Sequence, residues 1–312
     1  MYFPIMRGRQ FELLAIRECV TKKILSDKII PIVEPVKASS TYIKTIDCFT
    51  KADKTIAVIC NPRVGSWAKD LKKESNIKIR EQTAKQLKCA NVISSFYVTP
   101  DLSFNIENAA QEDVPVESMI LLCDNLEYIE TYEDAIGNNI PLYNIIPDKG
   151  DFRRRIRPNR VMCEDHFPKK MRNIDYLNTE TEFFSSDHLY YADDGYKGFS
   201  DYSVVGKEYS ETGFAPYAVA IHIVYFDEKN ILRIVHFVSD SNDDISDPAR
   251  KFAEAVEKLV KWNKIMKLDT AGIREFEAAY YNKTYPGLGV VKKYSIMHHL
   301  ELMSRYLDGV VE

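Results

Sequence analysis

The chain has 312 residues, of which 46 are acidic and 42 basic, for a net charge of −4. That balance excludes a globally basic nucleic-acid coat, and 45% hydrophobic with 28% charged residues excludes a disordered or collagen-like chain. The 12 glycines are about half the usual share of about 7%, too few for a fold built on several glycine loops.

At roughly 150 residues per domain the length allows two domains, or one α/β barrel of about 250 residues with an extension. Tyr2–Met6 reads as a strand and Gln10–Leu25 as a helix burying Phe11, Leu14, Ala15 and Ile24. Ile29–Glu34 is a second strand, followed by a helix over Ser40–Phe49 with Ser39 or Ser40 as its cap. Strands at Thr55–Asn61, Val92–Val98, Met119–Asp124, Leu142–Ile146 and Arg160–Glu164 follow. Helices over Lys78–Cys89, after Asp101 and around Leu126–Ile136 fall between them.

Short apolar runs about 20–35 residues apart, with helical pattern between, indicate parallel strands and crossover helices. No glycine fingerprint follows the first strand, so a (β/α)8 TIM-type barrel is favoured over an open doubly wound sheet. The pattern then changes. Phe183–Ala192 and Phe199–Val205 are short, tyrosine-rich segments separated by a turn-rich link, and the second would supply the eighth barrel strand. Ala218–Phe226 and Ile231–Ser239 read as a hairpin around Asp227–Asn230. Asp247-Pro248 starts a helix, Ile273–Tyr281 is another, and Tyr294–Leu307 is the last. The expected organisation is a barrel with inserted hairpin over 1–245 and a helical extension over 246–312.

No apolar run approaches the roughly 18–20 residues of a membrane span. The N-terminus does not read as a signal peptide. The six cysteines form no CxxC pair, so reduced thiols in a cytosolic protein are expected.

Polar residues close the strands: Arg7, Glu34, Asn61, Asp124, Asp148, and Glu164-Asp165-His166. A parallel barrel gathers its strand C-termini at one face, where such barrels hold their sites. Arg7 would bind phosphate or carboxylate oxygens as a fork, with Asn61, Asp148 and Asp201 completing the ligand contacts. Glu34, Asp124 and Glu164 could hold a hard divalent cation such as Mg²⁺, and Asp165 or His166 would move a proton. These roles suit a phosphoester hydrolase; the bland alternatives are helix caps, turns and an ion-pair network closing the mouth.

Cys60-Asn61, Cys123-Asp124 and Cys163-Glu164 repeat one pattern. Alternation puts each cysteine behind the barrel wall if its polar neighbour faces the mouth. The basic run Arg153, Arg154, Arg155 and Arg157, followed by Arg160, would bind a nucleic acid, a polyphosphate or a partner protein, or would be a solvated helix with acidic neighbours. No G-x-S-x-G elbow accompanies Ser200, so no serine triad is argued. Glu211, His222 and His236 lie near that segment in sequence, and both histidines read as hydrogen-bonded core residues, while His298 and His299 read as structural beside the apolar face of the last helix.

The opening Tyr2-Phe-Pro-Ile-Met-Arg-Gly-Arg-Gln-Phe-Glu12 and the second strand Ile29-Ile-Pro-Ile-Val-Glu34 resemble the start of the bacterial "beta protein" family. Gly198–Tyr202 and Val235–Asp240 are similar to one subgroup of it. The resemblance implies a barrel-like fold in a bacterial, defence-associated setting. It marks Arg7, Gln10, Glu12, Glu34 and Asp201 as candidates. A non-enzymatic binding or sensor subunit, acting through a protein or nucleic-acid partner, is the alternative to the hydrolase.

Overall fold

The computed structural model describes residues 1–210 and 216–310; Glu211 lies outside them. Chain contacts divide the protein into two compact units. The first comprises Met1–Leu13, Asp27–Asp165 and Asp187–Tyr202, and the second takes in Leu14–Ser26, His166–Ser186 and the chain from Ser203 onward. This grouping differs from a division at residue 245, because the hairpin strands share their contacts with the C-terminal helices.

The first unit is the (β/α)8-type barrel. Its strands are β1 (Ile5–Met6), β2 (Ile32–Val33), β3 (Ile56–Ile59), β4 (Val92–Tyr97), β5 (Ile120–Leu122), β6 (Tyr143–Ile146) and β7 (Arg160–Cys163). The chain then leaves for the second unit, where it forms β8 (Thr181–Ser185), and returns as β9 (Gly198–Ser200). All eight barrel strands are parallel, in the order β1 to β7 and then β9. Backbone bonds from Phe3 N–H to Phe199 O (2.9 Å) and Ile5 N–H to Asp201 O (2.8 Å) join β9 to β1 and close the ring.

Alternation sorts the side chains. Phe3, Ile5, Ile32, Ile59, Leu122 and Val161 fill the interior, with Tyr97 and Tyr202 at its top. Alternate residues face the helices α1 (Gln10–Thr21), α2 (Ser40–Lys51), α3 (Trp67–Leu71), α4 (Ile77–Gln86), α5 (Leu102–Gln111), α6 (Ile129–Ile136), α7 (Gly150–Arg155) and α8 (Asp187–Tyr190). The division between units falls within α1. Ser39 caps α2 by accepting from Tyr42 N–H (3.2 Å), and Tyr42, Ile43, Ile46 and Phe49 form its buried stripe. On the outer face of β6, Asn144 accepts from Tyr132 Oη (3.0 Å) and donates to Pro158 O.

The second unit has the antiparallel sheet β10 (Ala220–Phe226), β11 (Leu232–Val238) and β8, in that order. The tyrosine-rich segment Phe183–Ala192 holds the end of β8 and then the short helix α8. Asp227 Oδ1 accepts from Lys229 N–H and Ile231 N–H, which fixes the hairpin turn. Three helices follow: α9 (Pro248–Met266), α10 (Ala271–Tyr281) and α11 (Leu288–Leu307). Asp247 caps α9 through Arg250 N–H (3.0 Å), with Pro248 at its first position as expected. Trp262 of α9 packs on Tyr225 and Phe237 of the sheet. The last helix starts at Leu288 rather than Tyr294, as soon as Gly287 (φ +91°) has turned the chain.

The core histidines are hydrogen-bonded. His298 Nε2 donates to Val224 O (2.6 Å) and its Nδ1 lies 2.8 Å from Thr270 Oγ1, and burial lowers its pKa to about 4, which keeps the ring neutral at neutral pH. His222 and His236 share an Nδ1···Nδ1 contact of 2.7 Å. Among the described residues no helix is long and apolar enough to cross a membrane.

Candidate functional site

The mouth of the barrel is built on the inward-facing residues one step past the strands. Arg7 continues the Phe3, Ile5 row of β1, and Glu34 continues the Ile30, Ile32 row of β2. Gly8 (φ +61°) turns the chain directly after Arg7; a Cβ there would lie 2.6 Å from Glu34 O, so only glycine admits this approach. Glu12, in the first turn of α1, reaches back to Arg7 N–H (2.6 Å) and pins the turn.

Glu34 is fully buried and both its oxygens are engaged. Oε2 accepts from Arg7 Nη1 and from Tyr97 Oη (2.9 Å), and Oε1 accepts from Arg63 N–H (2.7 Å). Arg7 Nη1 also reaches Tyr97 Oη at 3.3 Å, and its guanidinium lies 5.2 Å from the centre of the Tyr202 ring. Burial opposes the Arg7 charge, but Tyr97 and Glu34 outweigh it and its pKa is raised. Burial, then Glu34, pushes the Tyr97 phenol up, so it stays a protonated donor.

Arg63 forms the rim. Its Nη1 bonds Asp124 Oδ1 (2.7 Å), its Nη2 bonds Val98 O (3.1 Å), and its guanidinium stacks 4.0 Å from the centre of the Tyr97 ring. The Arg63 and Asp124 side chains keep 33% and 25% of their exposure, against 9% for Arg7. Asn61 clamps β4, accepting from Tyr97 N–H (2.8 Å) and donating to Tyr97 O (2.9 Å). It positions Tyr97 rather than reaching for a ligand. Gly65 (φ +79°) and Ser66 press the same loop onto Val36, whose carbonyl accepts from Ser66 N–H (2.7 Å).

The sequence candidates thus divide. Arg7, Glu34, Asn61 and Asp124 converge. Glu164 instead accepts from Asp148 N–H (3.1 Å), and Asp148 accepts from Tyr196 Oη (2.6 Å) with Arg153 Nη1 at 3.3 Å. These two acids form a separate cluster beside α7. The reason is phase: Cys163 packs on the interior, so Glu164 takes the opposite side, the reverse of Asn61 and Asp124. Asp165 is exposed, and His166 belongs to the second unit against Phe184 (5.9 Å). Asp201 also faces outward, accepting from Tyr2 Oη (2.6 Å), whose ring stacks on Phe199 at 5.0 Å. Tyr202 takes the mouth position.

Glu34, Asp124 and Glu164 therefore do not assemble as metal ligands. Among the described residues no three His, Cys, Asp or Glu side chains could hold a metal ion. No two of the cysteines are joined in a disulfide among the described residues, and burial raises Cys60 to about 11 and Cys123 to about 12, so both remain thiols.

The arginine run is laced with internal partners. Arg153 faces Asp148, Arg154 bonds Asp151 (2.9 Å), Arg155 pairs with Glu133, and Arg157 Nε donates to Arg154 O (3.1 Å). α7 ends at Arg155, so Arg153 and Arg157 do not share a helical face.

Arg63, Tyr97 and Tyr202 are the residues of the mouth that sequence reading passes over. Alternation along Ile93, Ser95 and Tyr97 is the available signal for Tyr97, and the Asn61-Pro62-Arg63 loop after a strand is that for Arg63. Comparison of the chain with family models, curated proteins and solved structures finds no match.

Proposed function

We propose that the barrel mouth binds a phosphate-bearing ligand through Arg63, above the buried Arg7–Glu34 pair. The observation that carries this reading is the contrast between the two ion pairs. Arg7–Glu34 is sealed, whereas Arg63–Asp124 is partly open to solvent at the strand-end rim. A partly exposed pair is worth about 0–1 kcal/mol, so an incoming phosphate that accepts a charge-assisted bond from Arg63 Nη1 can replace Asp124. Asp124 then occupies, in the unliganded protein, the place of the ligand's oxyanion.

The remaining groups set the field around that anion. Glu34 neutralises Arg7 beneath it, which leaves Arg63 as the cation that meets the ligand, and Tyr97 holds its proton next to Glu34. Where the ligand is a phosphoester, the displaced Asp124 carboxylate is the base that draws a proton from water. Glu34 stays committed to Arg7, Tyr97 and Arg63, so the reading routes no step through a metal. Kinship with the "beta protein" family is part of the same proposal, because Arg7, Glu12 and Glu34 of the resembling segments meet at this site.

Thermal unfolding with and without pyrophosphate tests the reading. The parent and an Arg154→Gln control gain stability with pyrophosphate, as binding to the folded state requires, and Arg63→Gln does not. An equal gain in Arg63→Gln overturns the site.

A further inference from the structure

We infer that the phosphate-bearing ligand is a nucleotide whose base stacks on the outer face of Arg63; this rests on the anion-binding reading of the mouth. The support is the way the guanidinium is held. Tyr97 lies under one face at 4.0 Å. Asp124 Oδ1 and Val98 O accept from the two terminal nitrogens, and hydrogen-bond acceptors approach a guanidinium in its own plane. The side chain as a whole is 33% exposed, and with one face on Tyr97 and both terminal nitrogens bonded, the opposite face is the one a ring would take.

The platform is also rigid from below. The Arg63 N–H is tied to Glu34 Oε1, the Tyr97 hydroxyl to Glu34 Oε2, and the Tyr97 backbone to both ends of the Asn61 amide. Pro62 restricts the backbone before Arg63, and Gly65 sits so close to Val36 that a Cβ would lie 2.1 Å from Val36 O. A guanidinium plane fixed in this way loses little freedom when a ring settles on it, and stacking of bases on arginine planes is a general mode of nucleotide recognition.

A simple ion-pair arginine needs no such support. One bidentate carboxylate holds it, and its long stem is free to follow the partner. Here one guanidinium offers two different surfaces to one ligand. The base takes the open face, while the phosphate replaces Asp124 at Nη1. Val98 O and the Tyr97 ring keep the plane in place through that exchange. A sugar phosphate has no π face and gains only the second contact.

Calorimetric titration of the full chain with ribose 5-phosphate and with the four ribonucleoside 5′-monophosphates separates the claims, since these ligands share sugar and phosphate. At least one nucleotide is expected to bind about ten-fold more tightly than ribose 5-phosphate, the scale of one base–side-chain stack. Arg63→Lys keeps the charge and removes the plane, so it should erase that preference while ribose 5-phosphate binding changes by less than about three-fold. Equal affinities for all five ligands in the parent overturn the nucleotide inference and leave the anion site standing. A nucleotide preference that survives in Arg63→Lys overturns the stacking role. Absence of binding by any of the five overturns both.

Discussion

Replacing Glu34 by Gln removes one charge from a group with no solvent to compensate. Its side chain is fully buried and that of Arg7 is only 9% exposed. The carboxylate serves three donors: Arg7 Nη1 and Tyr97 Oη on one oxygen, Arg63 N–H on the other. A glutamine offers one acceptor and one NH2, so it must face a donor with a donor on one side. Breaking a buried pair in this way costs about 3–5 kcal/mol, because the surviving charge stays buried. At about 2–4 °C per kcal/mol for a unit of this size, the melting point should drop by about 6–20 °C. The assay is urea or thermal unfolding followed by fluorescence. Trp67 reports on the barrel and Trp262 on the second unit, so a Trp262→Phe background isolates the barrel signal. Adding Arg7→Met to Glu34→Gln should recover at least half of the loss, as the unpaired charge is removed. A destabilisation below about 1 kcal/mol for Glu34→Gln, or no recovery in the double variant, refutes the sealed-pair reasoning.

Asn61→Ala deletes both bonds to the Tyr97 backbone and should destabilise the barrel by about 1–3 kcal/mol, measured as a shift in the urea midpoint. Gly65→Ala puts a methyl against Val36 O at a positive φ; a loss of more than about 2 kcal/mol is expected, with pyrophosphate binding weakened through the Arg63 loop. His298 and His236 have pKa values lowered by burial from 6.5 to about 4, so both are neutral in the folded protein at neutral pH. Unfolding therefore takes up protons between about pH 6.5 and 4, and stability present above 6.5 is lost as pH falls through that window. Melting curves across pH 4–7 should show this decline, and His298→Gln should flatten it.

Much of the barrel is written in the spacing of Ile29–Val33, Ile56–Cys60 and Met119–Cys123, because strands buried on both faces must be short and continuously apolar. The strand ends were equally legible at Arg7, Glu34, Asn61 and Asp124. What spacing does not carry is phase. One position of offset sends Glu164 and Asp201 outside, where they meet Asp148 and Tyr2. Arg63 escapes notice for a different reason: it lies in a loop, and its place depends on Gly65 packing against Val36, a contact between distant segments. Tyr97 reads as core because it ends an apolar strand, yet its hydroxyl bonds both Arg7 and Glu34.

The most direct measurement of the central claim is the affinity of pyrophosphate for Asp124→Asn relative to the parent. If Asp124 stands where the ligand's oxyanion goes, neutralising it frees Arg63 and removes like-charge repulsion, so binding should tighten by about three- to ten-fold, up to about 1.4 kcal/mol. Unchanged or weaker binding would contradict the account, because Asp124 would then not be competing with the ligand for Arg63.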